Sequence, residues 1–348
     1  MRAEVSQTPC TSLPQSICEN ITKLIQVTFM ALLCYHAAHE QFAPSHLLKL
    51  AVAAEQAGFT GLHSSDHFQP WGIRQGHSGF SFAWVAAAMQ ATSLPLSMVC
   101  APGQRYHPAI VAQAVATLAE MFPRRFSVEL GSGEALNECI TGDAWPEKKI
   151  RNARLLECAH VIRRLLKGDE VSFEGHVTVK NARLWSLPAD APPLIGAAIT
   201  EETSRWVATW ADGLLTTVDK DLAEAEAKIS AFRRNGGADK PVYLKYTFSY
   251  ARDRQVAVDS AWEEWKGQIA ATNKADIETP EEFDRLARNT TREEVLAVMP
   301  VFTDMDELRE HIGRLEALGA ERIALHSLNN RQEEFIEDFG RSAQAAGY

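Results

Sequence analysis

The stretch that decides the fold is Ser65-Asp66-His67-Phe68-Gln69-Pro70-Trp71. It follows an apolar run, Gly58-Phe59-Thr60-Gly61-Leu62, which predicts a strand, and Pro70 predicts a loop directly after that strand. A strand that ends in Asp66 and His67 presents two titratable groups on the rim of a sheet, where a ligand could reach them. Adjacent residues of a strand start on opposite faces, so Asp66 is not assumed to orient His67.

Outward from this stretch, strand-like and helix-like patterns alternate from Met30 to the C-terminus. The predicted strands are Leu32–His36, Phe59–His67, Leu94–Ala101, Phe126–Leu130, Leu194–Ala198, Gly213–Val218, Pro241–Tyr250 and Arg322–His326. A small hairpin within residues 171–179 and a long helical segment, 254–318, interrupt the alternation. Eight such strands over about 320 residues predict an α/β fold, a (β/α)8 TIM barrel with insertions, because these barrels take roughly 250 residues without insertions. An open doubly wound sheet is the alternative, and the lack of a dinucleotide-binding fingerprint after the first strand disfavours it.

The composition is typical of a globular protein, since the 348 residues are 46% hydrophobic and 23% charged, with a net charge of −10. This acidic balance disfavours nucleic acid or an anionic membrane as a partner, and the expected partner is a small-molecule substrate. The six cysteines include no C-x-x-C pair, which predicts reduced thiols in a cytoplasmic protein. The apolar segment Ile21–Tyr35 is too short and too polar to span a membrane. We expect residues 1–29 to be an N-terminal tail and residues 30–348 to form the barrel.

In a TIM barrel the loops that follow the strands form the active-site face. The predicted loops here carry polar, titratable and glycine-rich residues, with His67 at the end of the second strand and Glu134 after the fourth. If both face the central cavity, they supply a proton donor or acceptor on each side of a bound ring. Three structural interpretations stay open: His67 as a hydrogen-bonded core histidine, Glu134 as a group that stabilises a helix start, and Gly131-Ser132-Gly133 as a tight turn.

Residue spacing disfavours a metal site and a serine hydrolase. His36 and His39 are three residues apart and His63 and His67 four apart, on or near strands, where neither spacing matches a helical i, i+4 pair or a His-x-His strand pair. No Gly-x-Ser-x-Gly nucleophile elbow occurs. We therefore expect neither a bound metal nor Ser-His-Asp catalysis.

Three motifs together resemble a known family. They are the stretch 65–71, Gly103-Gln104-Arg105-Tyr106-His107-Pro108-Ala109 and Gly131-Ser132-Gly133-Glu134-Ala135-Leu136-Asn137-Glu138. They resemble the bacterial luciferase-like oxidoreductases, which use flavin or F420, and within that superfamily the group that contains coenzyme F420-dependent glucose-6-phosphate dehydrogenase. The resemblance implies a (β/α)8 barrel that holds a flavin or deazaflavin ring across the C-terminal ends of its strands.

The same resemblance implies individual roles. Asp66 would contact the cofactor, His67 would be the catalytic base, Glu134 the acid, and Trp71 the aromatic that covers the reacting face. Met98-Val99 falls where the family has a non-prolyl cis peptide behind the ring. The implied cofactor-binding residues are Asp66, Trp71, Met98, Val99, Gly131, Ser132, Gly133, Asn137, Ala197 and Ala198, and the implied substrate-binding residues are Glu40, Lys220 and Lys274.

Finer likenesses bear on the cofactor and the substrate. The arginine that would complete a phosphate site with Lys220 and Lys274 is missing near Val298, which disfavours a sugar phosphate. Loops that resemble a sister group using ordinary flavin span residues 74–80, 102–105 and 152–157. The leading expectation is therefore an FMN-dependent oxidoreductase or monooxygenase acting on a small organic substrate, and the alternative is an F420-dependent dehydrogenase of an alcohol or sugar (phosphate). A non-catalytic flavin-binding barrel is a third interpretation, and the likeness also implies a homodimer.

Overall fold

Parallel strands close into a barrel. The computed structural model describes residues 30–218 and 220–345, so the predicted tail at residues 1–29 lies outside the described part. The strands are β1 (Leu32–Ala37), β2 (Gly61–Ser64), β3 (Leu96–Cys100), β4 (Phe126–Leu130), β5 (Val171–Glu174), β6 (Thr178–Ala182), β7 (Leu194–Ala197), β8 (Gly213–Val218), β9 (Val242–Tyr250), β10 (Val301–Phe302) and β11 (Arg322–Ser327). The ring runs β1-β2-β3-β4-β7-β8-β9-β11, and β11 pairs with β1 to close it. The predicted (β/α)8 barrel is confirmed.

Helices surround the barrel and follow most of its strands. They are α1 (Pro44–Gln56), α2 (Ser81–Ala91), α3 (Pro108–Met121), α4 (Ala135–Glu138), α5 (Lys148–Leu166), α6 (Glu201–Val207), α7 (Leu222–Phe232), α8 (Arg254–Ala270), α9 (Pro280–Leu286), α10 (Arg292–Val298), α11 (Met305–Glu316) and α12 (Gln332–Ala345). The antiparallel pair β5–β6 is the predicted hairpin, and β10 pairs with β9 outside the ring. Across the described ranges, no helix is both long and apolar enough to cross a membrane.

Local sequence signals set the ends of these elements. Helix α1 has Pro44 in its first turn and is followed by Gly58, whose φ of 90° suits glycine and ends the helix. Helix α10 begins with a capping box in which Thr291 and Glu294 satisfy each other's backbone N–H groups. The outward-facing strand residues, such as Leu62, pack under the helices in one large core, which leaves the inward-facing residues to line the barrel.

The second strand is shorter than predicted. Strand β2 ends at Ser64, whose partner Met98 is the last in the ladder with β3. Ser65 then bonds the loop after β1 through its hydroxyl. Asp66 and His67 therefore lie in a loop, so strand alternation does not set their directions, contrary to the expectation from the sequence.

Two further expectations fail within β3 and the segment 254–318. The Met98–Val99 peptide bond is trans, as are all peptide bonds in the described ranges, so the cis peptide implied by resemblance is absent. Both residues continue the regular parallel register with β4, which requires an extended trans chain. The segment 254–318 is not wholly helical, because it contains β10, whose two residues are too few to give a recognisable pattern.

Candidate active site

A histidine–glutamate pair lies at the C-terminal end of the barrel. Glu40 follows β1 and His67 follows β2, and these two strands are neighbours. His67 Nε2 lies 3.2 Å from Glu40 Oε1, and the two side chains are 12% and 6% exposed. Burial raises the pKa of Glu40, but His67, the backbone N–H of Glu40 and Lys245 together outweigh burial, and the pKa of Glu40 is lowered. Glu40 therefore favours its ionised form beside the imidazole.

Asn137 fixes the other side of that imidazole. Its Oδ1 accepts hydrogen bonds from the N–H groups of Phe68, at 2.8 Å, and Gln69, at 3.4 Å, so the amide can have only one orientation. Its Nδ2 consequently donates to His67 Nδ1, 3.1 Å away. A neutral His67 then carries its proton on Nε2 and donates it toward Glu40. The pair of His67 and Glu40 can take up a proton as one unit, whereas His67 alone has no nitrogen free of a partner.

Trp71 forms a wall beside His67. The two rings lie 4.9 Å apart between centroids at an angle of 59°. The far side of the indole meets Phe283 of α9 edge-on at 5.3 Å, and Gln69 donates to the carbonyl of Glu278 at 3.2 Å. The segment between β9 and β10 therefore holds the loop after β2 in place. The indole lies next to the imidazole, and its part in covering a bound ring stays a prediction.

Glu134 acts on the same pair from the loop after β4. It is the N-cap residue of α4, but its side chain makes no capping hydrogen bond, which removes the main support for a purely helix-stabilising role. Burial raises the pKa of Glu134, and although His67, Lys274 and Lys245 oppose this, the pKa remains raised. A carboxyl with a raised pKa and another with a lowered pKa, both acting on His67, are suited to serve as acid and base in one reaction.

Asp66 is part of a buried ion-pair network. Its Oδ2 accepts from Arg105 Nη2 at 2.8 Å and its Oδ1 from Tyr106 OH at 3.1 Å, and its side chain is 1% exposed. The backbone N–H of Arg105 donates in turn to Glu138 at 2.8 Å. Both carboxylate oxygens of Asp66 are thus engaged by protein donors. Its visible role is to order the loop that carries His67, and its contact with a cofactor stays a prediction.

The other residues implied to bind the ring fall into two groups. Val99 and Ala197 are half-buried and line the inside of the barrel next to the end of β4. Met98 and Ala198 point instead into the core beneath the helices, so only their backbone is available to a ligand. Small or flat apolar groups at the ends of adjacent strands leave room for a planar ring, so the residues present fit a flavin or deazaflavin.

The glycine loop after β4 combines a tight turn with open space. Gly133 has a φ of 84°, and a Cβ at this position would lie 3.0 Å from Glu138 Cγ, so the turn requires glycine. A Cβ on Gly131 would meet only Ala197, in ordinary contact at 3.9 Å. Ser132 is half-buried between them. The turn interpretation of this loop is correct for Gly133, and a part in cofactor binding stays a prediction.

The two lysines implied to bind substrate have different surroundings. Lys220 is exposed, and its Nζ donates to the carbonyl of Leu296 in α10 at 3.1 Å. Lys274 is half-buried, begins a short 3-10 turn and lies within electrostatic reach of Glu134. The structure therefore brings Lys274 to the group around His67, while the Lys220 ammonium is already engaged by the protein.

Sequence reasoning missed a polar layer inside the barrel. His63 Nε2 lies 2.8 Å from Glu129 Oε2, and its Nδ1 lies 2.7 Å from His36 Nδ1. His36 also contacts the His326 ring at 4.3 Å, and burial, with help from His326 and Lys245, lowers the pKa of His36 well below its usual value. The sequence signal that could have revealed this layer is the occurrence of polar residues at inward-facing positions of the strands. Within the described ranges, no three His, Cys, Asp or Glu side chains are grouped so as to hold a metal ion.

Comparison with known proteins identifies the family. The sequence profile of the luciferase-like monooxygenases matches residues 27–322. The chain belongs to this family. Among its relatives are F420-dependent glucose-6-phosphate dehydrogenases: that of Mycobacterium tuberculosis strain H37Rv is 35% identical over 319 residues, covering 88% of this chain and 94% of the relative. That of Mycolicibacterium smegmatis is 35% identical over 324 residues, covering 89% and 96%.

Solved structures of luciferase-like proteins share the fold. An F420-dependent secondary alcohol dehydrogenase in complex with an F420–acetone adduct matches with a TM-score of 0.82 at 27% identity, covering 89% of this chain and 97% of that one. The F420-dependent tetrahydromethanopterin reductase of Methanopyrus kandleri matches with a TM-score of 0.69 at 20% identity, covering 89% and 98%, and supports the fold alone. Family membership makes the chain an oxidoreductase, as the sequence motifs predicted.

Proposed function

We propose that this luciferase-like protein is an F420-dependent dehydrogenase that oxidises a CH–OH group of a small molecule. The observation that carries the proposal is the His67–Glu40 pair, 3.2 Å apart at the barrel mouth, with Glu134 within electrostatic reach of His67. F420-dependent dehydrogenases among the relatives support F420, the alternative of the sequence analysis, over the leading expectation of FMN. No observation favours monooxygenation over dehydrogenation.

The residues of this chain have separate tasks in such a reaction. F420, when bound, supplies the hydride acceptor. The His67–Glu40 pair accepts the proton of the substrate hydroxyl, Asn137 holds the imidazole in one orientation, and Trp71 excludes water beside it. Glu134, whose pKa is raised, would supply a proton from the loop after β4. Val99 and Ala197, together with Gly131, would form the surface against which the ring lies.

Binding of the two cofactors tests the proposal directly. Purified protein is titrated with F420 and, separately, with FMN, and each is followed by the change in cofactor fluorescence. We expect F420 to bind at least about tenfold more tightly than FMN, a difference of about 1.4 kcal/mol. The F420-loaded protein is then assayed against secondary alcohols, hydroxy acids and sugar phosphates by loss of the visible absorbance of oxidised F420. Tighter binding of FMN, or no binding of F420, would contradict the proposal.

A cytoplasmic homodimer is part of the same proposal. The described cysteines, Cys34, Cys100, Cys139 and Cys158, are free thiols, which fits a reducing compartment. Ile110 and Trp185 are 58% and 86% exposed and line one surface depression beside α3, which suits an interface between copies. Light scattering after size-exclusion chromatography measures the mass directly, and a monomer at micromolar concentration would refute the dimer.

A further inference from the structure

A lysine that the sequence analysis did not select lies inside the barrel. Lys245 is on β9 between two inward-facing neighbours. Tyr243 packs inside the barrel with Leu215, and Thr247 Oγ1 lies 3.3 Å from His326 Nδ1, while the intervening Leu244 belongs to the outer core. The period-two alternation of a strand therefore directs the Lys245 side chain into the cavity.

The Lys245 ammonium has no partner among the residues the structure describes. No carbonyl or carboxylate accepts a hydrogen bond from it, whereas the ammonium of the buried Lys228 donates to the Thr217 carbonyl at 2.9 Å and that of Lys240 to the Ala208 carbonyl at 2.7 Å. The Lys245 side chain is half-buried, so its ammonium is only partly hydrated and lacks the protein acceptor that Lys228 and Lys240 have. A cavity that contains such an ammonium is therefore suited to a ligand that supplies the acceptor.

A second cation lies within reach of the first. The Lys274 ammonium also lacks a hydrogen bond within residues 30–218 and 220–345, and the two lysines repel each other. Burial lowers the pKa of Lys245, and Lys274 lowers it further, while Glu40 and Glu134 act in the opposite direction. Neither carboxylate forms an ion pair with Lys245. An anion bound between the two ammonium groups would relieve both the repulsion and the missing hydrogen bonds.

The position of Lys245 inside the barrel limits the distance between the anionic group and the reacting hydroxyl of the same substrate. Lys245 is on β9, which only β11 separates from β1, and it acts electrostatically on Glu40, which follows β1 and contacts His67 at 3.2 Å, so the inward-facing Lys245 lies near the proton-accepting pair. The exposed surface around Lys220 and Val298 is poorly suited to an anion. The Lys220 ammonium already donates to the Leu296 carbonyl, and Val298 presents an apolar side chain. An anionic group and the hydroxyl to be oxidised would therefore lie close together on the substrate.

We propose that Lys245, together with Lys274, binds an oxyanionic group of the substrate inside the barrel, so that the substrate is a compact alcohol bearing a carboxylate or a phosphate. This inference rests on the proposed dehydrogenase function and adds the substrate class and the residue that selects it. A hydroxy acid or a short hydroxyalkyl phosphate has both groups within a few bonds. A neutral alcohol would leave both ammonium groups without an acceptor.

The test measures anion binding to the protein itself and needs no known substrate. Acetate and inorganic phosphate are titrated by calorimetry into the wild-type protein, with and without saturating F420. We expect at least one anion to bind in both states, and Lys245→Met to weaken it about tenfold or more, because a hydrogen bond to a charged group contributes at least that factor. Lys274→Met should weaken it less, and Lys180→Met, which removes an exposed lysine of β6, should leave it unchanged. The better-bound anion distinguishes a carboxylate substrate from a phosphate substrate.

Several results would overturn the inference. These are no anion binding to the wild-type protein, unchanged binding in Lys245→Met, a loss in Lys220→Met as large as in Lys245→Met, or displacement of the anion by F420. Circular dichroism and F420 titration establish that each variant is folded. If Lys245→Met does not fold, Lys274→Met decides, and unchanged binding there refutes the shared site. The separate F420 titration of the wild-type protein tests the proposed function, so the two failures are distinguishable.

Discussion

Replacement of Glu40 by glutamine removes one negative charge beside His67 and little else. The amide can place its oxygen toward His67 Nε2 and its NH2 toward Ser65 Oγ, which lies 3.2 Å from the present carboxylate oxygen. Ser65 can keep its hydroxyl hydrogen for the Ala37 carbonyl. The variant therefore preserves the shape and the hydrogen bonds of the pair, and any loss of rate reports the charge.

The expected magnitude follows from the 3.2 Å contact. The Glu40 carboxylate and the proton that the His67–Glu40 pair takes up carry opposite unit charges, and at that distance they attract each other by about 5 kcal/mol at an effective dielectric constant of about 20. Proton transfer is incomplete in the transition state, so we take about half, 2–3 kcal/mol, as the loss. This corresponds to a roughly 30- to 150-fold lower kcat. The Michaelis constant should change little, because the pair takes up the proton only as the reaction proceeds.

The measurement is the rate of F420 reduction under single-turnover conditions, with the proportion of bound F420 determined beforehand. His67→Asn, which removes the ring, is the companion variant, and the double variant shows whether the two residues act as one unit. If they do, the double variant is hardly slower than His67→Asn alone. A kcat for Glu40→Gln within about threefold of wild type, or additive losses in the double variant, would refute the reasoning.

Three further predictions concern the residues around this pair. Asn137→Asp should fold but lower kcat. A carboxylate facing His67 Nδ1 favours a proton on that nitrogen, which leaves a lone pair on His67 Nε2 facing Glu40. An unchanged rate would show that the ring orientation is not controlled from this side. If Glu134 donates a proton, wild-type activity should fall as pH rises through the raised pKa of Glu134, and Glu134→Gln should remove that fall. The variant should also be more stable at neutral pH, because the folded wild type binds more protons than the unfolded state and loses stability as pH rises. Denaturant unfolding at two pH values and a pH–rate profile measure both effects, and a persistent alkaline limb in the variant would contradict the assignment. Asp66→Ala should lower the free energy of unfolding by about 3–5 kcal/mol, because Arg105 is left buried without one of its partners; normal stability with loss of F420 binding would show instead that Asp66 acts on the cofactor.

The scaffold could be predicted from sequence because its patterns are local. Strands β4 and β8 have the predicted bounds, since each is a clear apolar run, and Gly131 directly after β4 is a strong stop signal. Strand β2 could not be bounded in this way. The residues after Ser64 look strand-like, but hydrogen bonds to the loops after β1 and β4, such as that from Phe68 to Asn137, replace the ladder.

The site could be predicted only where a motif marks a loop. Contacts join His67 to Trp71 and Asn137, three residues that the resemblance selected, and Glu134 lies within electrostatic reach of His67, while their roles stay predictions. The sequence alone does not give the acidic partner of His67. The structure shows that it is Glu40, which lies 27 residues earlier and is brought close because β1 and β2 are neighbours. Such a long-range pairing depends on the register of the strands, which the chain does not show in any short window.

The polar layer beneath the site explains how the barrel can hold a cation in its interior. Glu129 lies under the cavity on β4, raises the pKa of Lys245 and so opposes the effects of burial and of Lys274. Its carboxylate is itself held by His63 at 2.8 Å, and His63 is held by His36 at 2.7 Å. An apolar interior, usual in TIM barrels, would leave the Lys245 ammonium with too little compensation and favour its neutral form. Through Glu129, the buried histidine–glutamate chain therefore adds to the larger effects of Glu40 and Glu134 that favour the charged form of Lys245, without supplying the acceptor that its ammonium lacks.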